Sequence, residues 1–201
     1  MDTNVIVALA SSLITAIVGP IVVGIVNKRV ELKHKEKALK DSLQKNTLVN
    51  TKLEEIKDNL KADRIWVMQF HNGGTFYPTG KSIQKFSMFY ELVSQDTFSV
   101  QSQFQNIPVS LFSKSINHLL EEDNIIIPDF KDEKIATYGL KHIADENGCK
   151  SAYLFAVKTI EGKFVGTLGI EYTKRKTLLS QEDINHLLIE ATMLGGELMK
   201  V

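Results

Sequence analysis

The chain has 201 residues, enough for one sizeable domain with appendages, and its Lys+Arg and Asp+Glu counts are both 24. A balanced charge provides no global attraction to nucleic acid, so any electrostatic feature must be local. Cys149 is the only cysteine, which excludes an internal disulfide and a cysteine-based zinc cluster and fits a reducing compartment.

The first element is "VIVALASSLITAIVGPIVVGIV", Val5 to Val26, which contains no charged residue. A bilayer-spanning helix needs about 20 apolar residues, so the run is long enough to cross. Ser11, Ser12 and Thr15 can return their hydroxyls to helix carbonyls, and Pro20 is tolerated within a span. A cleaved signal peptide wants a basic start, yet Met1-Asp2-Thr3-Asn4 carries no Lys or Arg. A buried core helix is the other alternative, but few soluble helices are apolar all round for so many turns. Directly afterwards come Lys28, Arg29, Lys33, Lys35, Lys37, Lys40 and Lys45, against Glu31, Glu36 and Asp41. Such a basic flank stays on the cytoplasmic side. The expected topology is a single pass through the inner membrane, with the N-terminus outside and the C-terminal domain in the cytoplasm. The same collar suits anionic lipid headgroups, and no aromatic interleaves it as a nucleic-acid surface would require. The expected organisation is therefore a short external segment (1–4), a span (5–26), a basic helical connector (27–47) and one domain (48–201).

From Lys28 to Ala62 there is no Pro or Gly, so one helix is expected. Leu32, Leu39, Leu53 and Leu60 recur at multiples of seven, with Asn46 at the missing step. Val49 and Ile56 then fall at the second seam position, although Lys35 and Ser42 share it nearer the membrane. Two uses are open. Leu39, Asn46, Val49, Leu53, Ile56 and Leu60 form a homodimeric coiled-coil seam, with Asn46 setting register. Alternatively, Leu53, Ile56 and Leu60 lie against the domain's own core.

Beyond the helix, Arg64 to His71 predicts a strand with Ile65, Val67, Gln69 and His71 on one face and Trp66, Met68 and Phe70 on the other. "SIQKFSMFYELV" (82–93) is a second strand, and Leu111, Phe112, Ile116, Leu119 and Leu120 suit a short helix after Pro108. "NIIIPDF" (124–130) predicts a buried strand stopped by Pro128, and residues 135–147 a helix stopped at Gly148. "SAYLFAVKT" (151–159) and "KFVGTLGIEYT" (163–173) flank Glu161-Gly162, which predicts an antiparallel hairpin. Ser180 is a good N-cap for a final helix whose stripe is Ile184, Leu187, Leu188, Ala191, Leu194 and Leu198. The fold class is α/β in the broad sense (α+β), with a central antiparallel sheet flanked by helices.

The long first helix, the antiparallel sheet and "VKTIEGKFVGTLGIEY" leading to "LSQEDINHLLIEATMLGGEL" resemble the GAF family across residues 48–201. Members are small-molecule-sensing and dimerisation modules related to PAS domains, so the resemblance implies a sensory or regulatory role. The block "QFHNGG…QKFS…YELV" also resembles uncharacterised membrane-anchored proteins of phages and bacteria. Several family activities lack their residues here. The Asn-Lys…Phe…Asp-Glu pattern of cyclic-nucleotide-binding members is not found. Bilin-binding members use a cysteine beside a histidine, whereas Cys149 stands between Gly148 and Lys150. Methionine-sulfoxide-reducing members need several cysteines.

Candidate ligand-binding residues are Gln69, His71, Asn72, Gly73, Gly74, Tyr77 and Phe86, at the mouth of a pocket where two glycines let a ligand approach backbone. The same residues also make an ordinary strand end and glycine turn, with His71 bonded locally. His118, His142 and His186 have no second ligand at helical spacing, so no metal site is expected. Asn72-Gly73-Gly74 lacks the ending of a phosphate loop, and no Gly-x-Ser-x-Gly elbow occurs. No catalytic constellation is present, so a non-enzyme is expected, with no cofactor identified. Two functions remain: a membrane-anchored sensor acting through a homodimer or an unidentified protein partner, and a ligand-free interaction module at the membrane's inner face. Neither involves nucleic acid.

Overall fold

The structure is a computed structural model that describes residue 3, residues 19–76 and residues 78–199. The chain divides into two compact units, residues 1–46 and 47–201. The apolar run Val5–Val26 falls among the described residues only from Gly19 onward, and Tyr77 lies outside them.

Helix α1 spans Gly19–Leu60. Its uninterrupted length follows from a sequence free of Pro and Gly after Gly24. Within the first unit, Ile21, Val22, Val23, Ile25 and Val26 are all more than half exposed. Glu31–Lys35 (2.6 Å) and Glu36–Lys40 (3.2 Å) pair across single turns. No helix of the described residues is long and apolar enough to cross a membrane.

In the second unit, a six-stranded antiparallel sheet has the order β3-β2-β1-β6-β5-β4. The strands are β1 (Arg64–Thr75), β2 (Ser82–Val93), β3 (Ile107–Pro108), β4 (Asn124–Ile127), β5 (Ser151–Lys158) and β6 (Phe164–Tyr172). Three α-helices of this unit follow α1 among the described residues: α2 (Ser113–Glu122), α3 (Lys141–Glu146) and α4 (Gln181–Leu198). The β5–β6 hairpin closes through Gly162, whose φ of +81° a side chain would strain.

The two sheet faces are covered differently. On one, Val49, Leu53 and Ile56 of α1 and Leu187, Ala191, Leu194 and Leu198 of α4 bury Ile65, Val67, Phe155, Leu168 and Ile170. Leu60 packs against the same cluster. Val49, Leu53, Ile56 and Leu60 thus serve the domain's own core, the second of the two uses open to them, and are not available as the lower half of a seam between chains. Leu39 is exposed. The predicted α4 stripe is the buried one, and Ser180 caps the helix in a reciprocal box with Asp183.

The other face carries Trp66, Met88, Ile125, Ile127, Ala152 and Leu154 beneath α2, α3 and the loops around them. Here the predicted helix over 135–147 shrinks to Lys141–Glu146, because Tyr138 and Gly139 adopt left-handed backbone. The segment before it folds as turns. That irregular cover leaves space above the sheet.

Candidate functional site

Alternation along β1 decides which residues meet that space. Arg64, Trp66, Met68 and Phe70 line a cavity of about 80 Å³. The intervening Ile65 and Val67 belong to the core beneath α1 and α4. Strand β2 contributes Phe86 and Met88, β6 Thr167 and Glu171, and α2 Ser115, Ile116 and Leu119. Loop aromatics Phe104, Phe112 and Phe130 close the sides, so the walls are mostly apolar.

A bulge lets β2 serve both faces. Val67 pairs with Tyr90 but Met68 pairs with Met88, leaving Phe89 as the extra residue. Tyr90 and Leu92 therefore pack toward α1 and α4, whereas Phe86 and Met88 turn to the cavity. Phe86 sets its ring edge to face against Phe112 at 5.3 Å.

The cavity has one polar end, built by three strands. Arg64 Nη1 donates to Glu171 Oε2 at 2.5 Å, and Trp66 Nε1 donates to Glu171 Oε1 at 2.8 Å. Arg64 Nε lies 3.4 Å from Glu91 Oε1, and Nη2 donates to the Phe98 carbonyl at 2.8 Å. Glu91 in turn accepts from the backbone N–H groups of Val100 and Gln101, at 2.8 and 3.1 Å, and from the Ser99 hydroxyl. The Arg64 and Glu91 side chains are only 2% and 1% exposed. Burial on that scale is tolerable only for charges paired and hydrogen-bonded as these are. Trp66 is held flat by its neighbour: a Cβ on Gly169 would come within 2.2 Å of the indole ring, so only glycine permits the stacking.

Cys149 also lines the cavity, buried, with Sγ donating to the Ser151 carbonyl at 3.2 Å. Burial pushes its thiol well above the ordinary range, reinforced by the nearby Glu171 carboxylate. It is a packed thiol rather than a nucleophile. A second hollow of about 310 Å³ lies beside Lys131, Lys150, Arg175 and Lys176. It is a charged surface depression in which Lys176 pairs with Asp129 and holds that carboxyl below its usual range.

Of the ligand residues expected from sequence, Phe86 lines the cavity. Gln69 and His71 share the parity of Ile65 and Val67, on the sheet's other face. His71 Nε2 bonds Ser87 Oγ at 2.9 Å, the local partner that the ordinary strand-end alternative requires. Asn72 Oδ1 accepts from Gly74 N and Ser82 Oγ, which ties the outer hairpin. Gly73 and Gly74 sit in that hairpin, away from the cavity, and Tyr77 lies outside the described residues. Sequence reasoning did not single out Arg64, Trp66, Glu91 or Glu171. The available signal was a charged residue beside an apolar run in each of three strands: Arg64 before Ile65–Met68, Glu91 within Met88–Val93 and Glu171 after Leu168–Ile170. Among the described residues no cluster of His, Cys, Asp or Glu could hold a metal ion.

No family model and no curated protein matches the chain. Solved structures do. A far-red cyanobacteriochrome photoreceptor superposes with a TM-score of 0.60 at 13% identity, covering 85% of this chain and 94% of that one. A far-red-absorbing dark-state structure with bound biliverdin IXα aligns with a TM-score of 0.56 at 12% identity, covering 73% and 84%. A domain assigned to a two-component sensor histidine kinase of Sinorhizobium meliloti 1021 aligns at 0.52 and 16% identity, covering 77% and 90%. At such identities the likeness establishes the fold, which is GAF-like, as the sequence resemblance implied.

Proposed function

We propose that the second unit is a small-molecule-sensing regulatory module whose ligand occupies the cavity between the sheet and α2–α3. The observation that carries this is a mostly apolar cavity with one cluster of convergent polar groups at its end, the usual composition of a ligand site. Bilins, found in one structural neighbour, do not suit this chain. A cavity of about 80 Å³ falls far below the roughly 300–1,000 Å³ that drug-sized ligands occupy. Cys149, buried and with its thiol pushed up, is a poor anchor for a covalent chromophore.

Strand β1 supplies the link to output. It begins four residues after α1 ends, so a ligand touching Arg64 or Trp66 acts on backbone directly attached to α1. Tyr172 Oη, on the neighbouring β6, donates to the Leu60 carbonyl at 3.1 Å and ties that junction. In this proposal Val5–Val26 anchors the chain in a membrane, with the basic collar on the cytoplasmic side. The exposed apolar residues of α1 from Ile21 to Val26 support that anchor. Homodimer pairing would use Leu39 and its neighbours in the connector.

A second reading, a ligand-free interaction module, draws on Ile189 and Met193. They lie one turn apart on α4 and remain 60% and 55% exposed. Native mass spectrometry of the full chain, released from detergent micelles, separates the two. Sensing predicts a bound mass that disappears on denaturation. A chain without an adduct, whose Trp66 emission is unmoved by a metabolite library, supports the interaction module instead.

A further inference from the structure

The charge around the cavity is unbalanced, and its walls suit one class of guest. Among the described residues Arg64 is the only cation at the polar end, yet it faces two carboxylates, Glu91 and Glu171. Glu91 accepts two backbone N–H groups, and Glu171 accepts from Trp66 and Arg64. The other charged residues nearby do not repair the deficit. Lys174 lies 3.8 Å from Asp63, whose carboxylate also accepts from the backbone of Thr173 and Lys174. Arg64 Nε itself has no hydrogen-bond partner, although its side chain is 2% exposed. Among the described residues the charged groups lining the cavity are Arg64 and Glu171 alone, and Glu171 keeps spare acceptor positions on Oε1.

Around this carboxylate stand aromatic rings. Trp66 lies with one face on Gly169 and also lines the cavity, which Phe86, Phe104, Phe112 and Phe130 share. Aromatic faces attract cations within about 6 Å of the ring centroid, most strongly for Trp and in sites removed from water. We infer that the cavity takes a small organic cation, an alkylammonium or quaternary ammonium, with its charge between Glu171 Oε1 and the Trp66 ring and its alkyl groups against the phenylalanines. This rests on the sensing role proposed above and names the ligand class for it. Size follows from the space. One water needs about 10–15 Å³, so about 80 Å³ admits a guest of roughly five to eight non-hydrogen atoms. An anion would meet Glu171 as well as Arg64, and a neutral guest would leave the second carboxylate uncompensated.

Trp66 is the chain's only tryptophan, so its emission reports on the cavity directly. The experiment titrates the full chain in detergent with tetramethylammonium and isoamylamine. Isoamyl alcohol and isovalerate are the neutral and anionic comparators of similar shape, and calorimetry runs alongside. The cations should bind at least about tenfold tighter than the alcohol, and Glu171→Gln should abolish that preference. Equal or better binding of the alcohol or the carboxylate overturns the cation assignment and leaves the sensing role standing. Silence of Trp66 and calorimeter toward all four probes overturns both. Should Glu171→Gln fail to fold, the comparison of probes on the unaltered chain still decides the ligand class.

Discussion

Two adjacent glycines in α4 allow a controlled test of how closely that helix sits on the sheet. Gly195 and Gly196 belong to one helix, and each gains helix propensity on replacement by alanine, at most about 1 kcal/mol and less this near the C-terminus. Their surroundings differ. A Cβ on Gly195 would stand 2.2 Å from the Lys158 carbonyl oxygen and 2.6 Å from its carbon, whereas one on Gly196 meets nothing within 4 Å. Ordinary contact begins at 3.4 Å, so Gly195→Ala requires α4 to retreat by about 1 Å from backbone that cannot rotate away. The retreat lifts Leu187, Ala191, Leu194 and Leu198 off the core, a strain of the kind that costs about 1–3 kcal/mol or more. Net of propensity, Gly195→Ala should lower the melting temperature by several degrees, and Gly196→Ala should raise it by about 1–3 °C. Thermal and urea unfolding of the two variants, measured with the parent, provides the readout. If Gly195→Ala matches or exceeds the parent, the close seating of α4 on β5 does not hold the helix, and the reasoning fails.

Three further outcomes follow from the same structure. Arg64→Met strands Glu91 and Glu171 without their cation and should cost about 3–5 kcal/mol, near 10 °C in melting temperature; a change under 1 kcal/mol would mean the network is solvated. Burial raises the pKa values of Cys149, Tyr153 and Tyr172, so the folded state favours their neutral forms. Their contribution is complete below the unfolded values, about 8.5 for Cys and 10 for Tyr, and is lost as pH rises above them. Stability should fall in melts taken above about pH 9, and a flat profile to pH 11 would contradict this. By the same burial, a thiol reagent at pH 8 should leave Cys149 unlabelled until the chain is unfolded. Rapid labelling of the native chain would show that the cavity opens to solvent.

How far the site was legible in the sequence depends on the strand. In β1, strict alternation separates Ile65, Val67, Gln69 and His71 from Trp66, Met68 and Phe70, and the structure keeps that division. Polarity is what misleads, since Gln69 and His71 look like ligand residues while Trp66 and Met68 look like core. Their half-exposure has a simpler cause: they lie toward the outer end of the strand, where His71 bonds Ser87. In β2 alternation itself fails. Phe86, Met88, Tyr90 and Leu92 share one parity in sequence, yet the first two face the cavity and the last two the helices. Nothing in "SIQKFSMFYELV" marks Phe89 as the bulged residue, because a bulge is fixed by the pairing partner, not by its own strand. Yet without that bulge, whichever face β2 served, it could not supply both the cavity wall and the helix-facing core. Phe86 and Met88 would pack beneath α1 and α4 with Tyr90 and Leu92, and the cavity would lose the wall opposite Trp66. Were all four to face the cavity instead, Glu91 would turn to the helix side and leave Arg64, so the wall and the buried charge network together depend on one extra residue in a neighbouring strand.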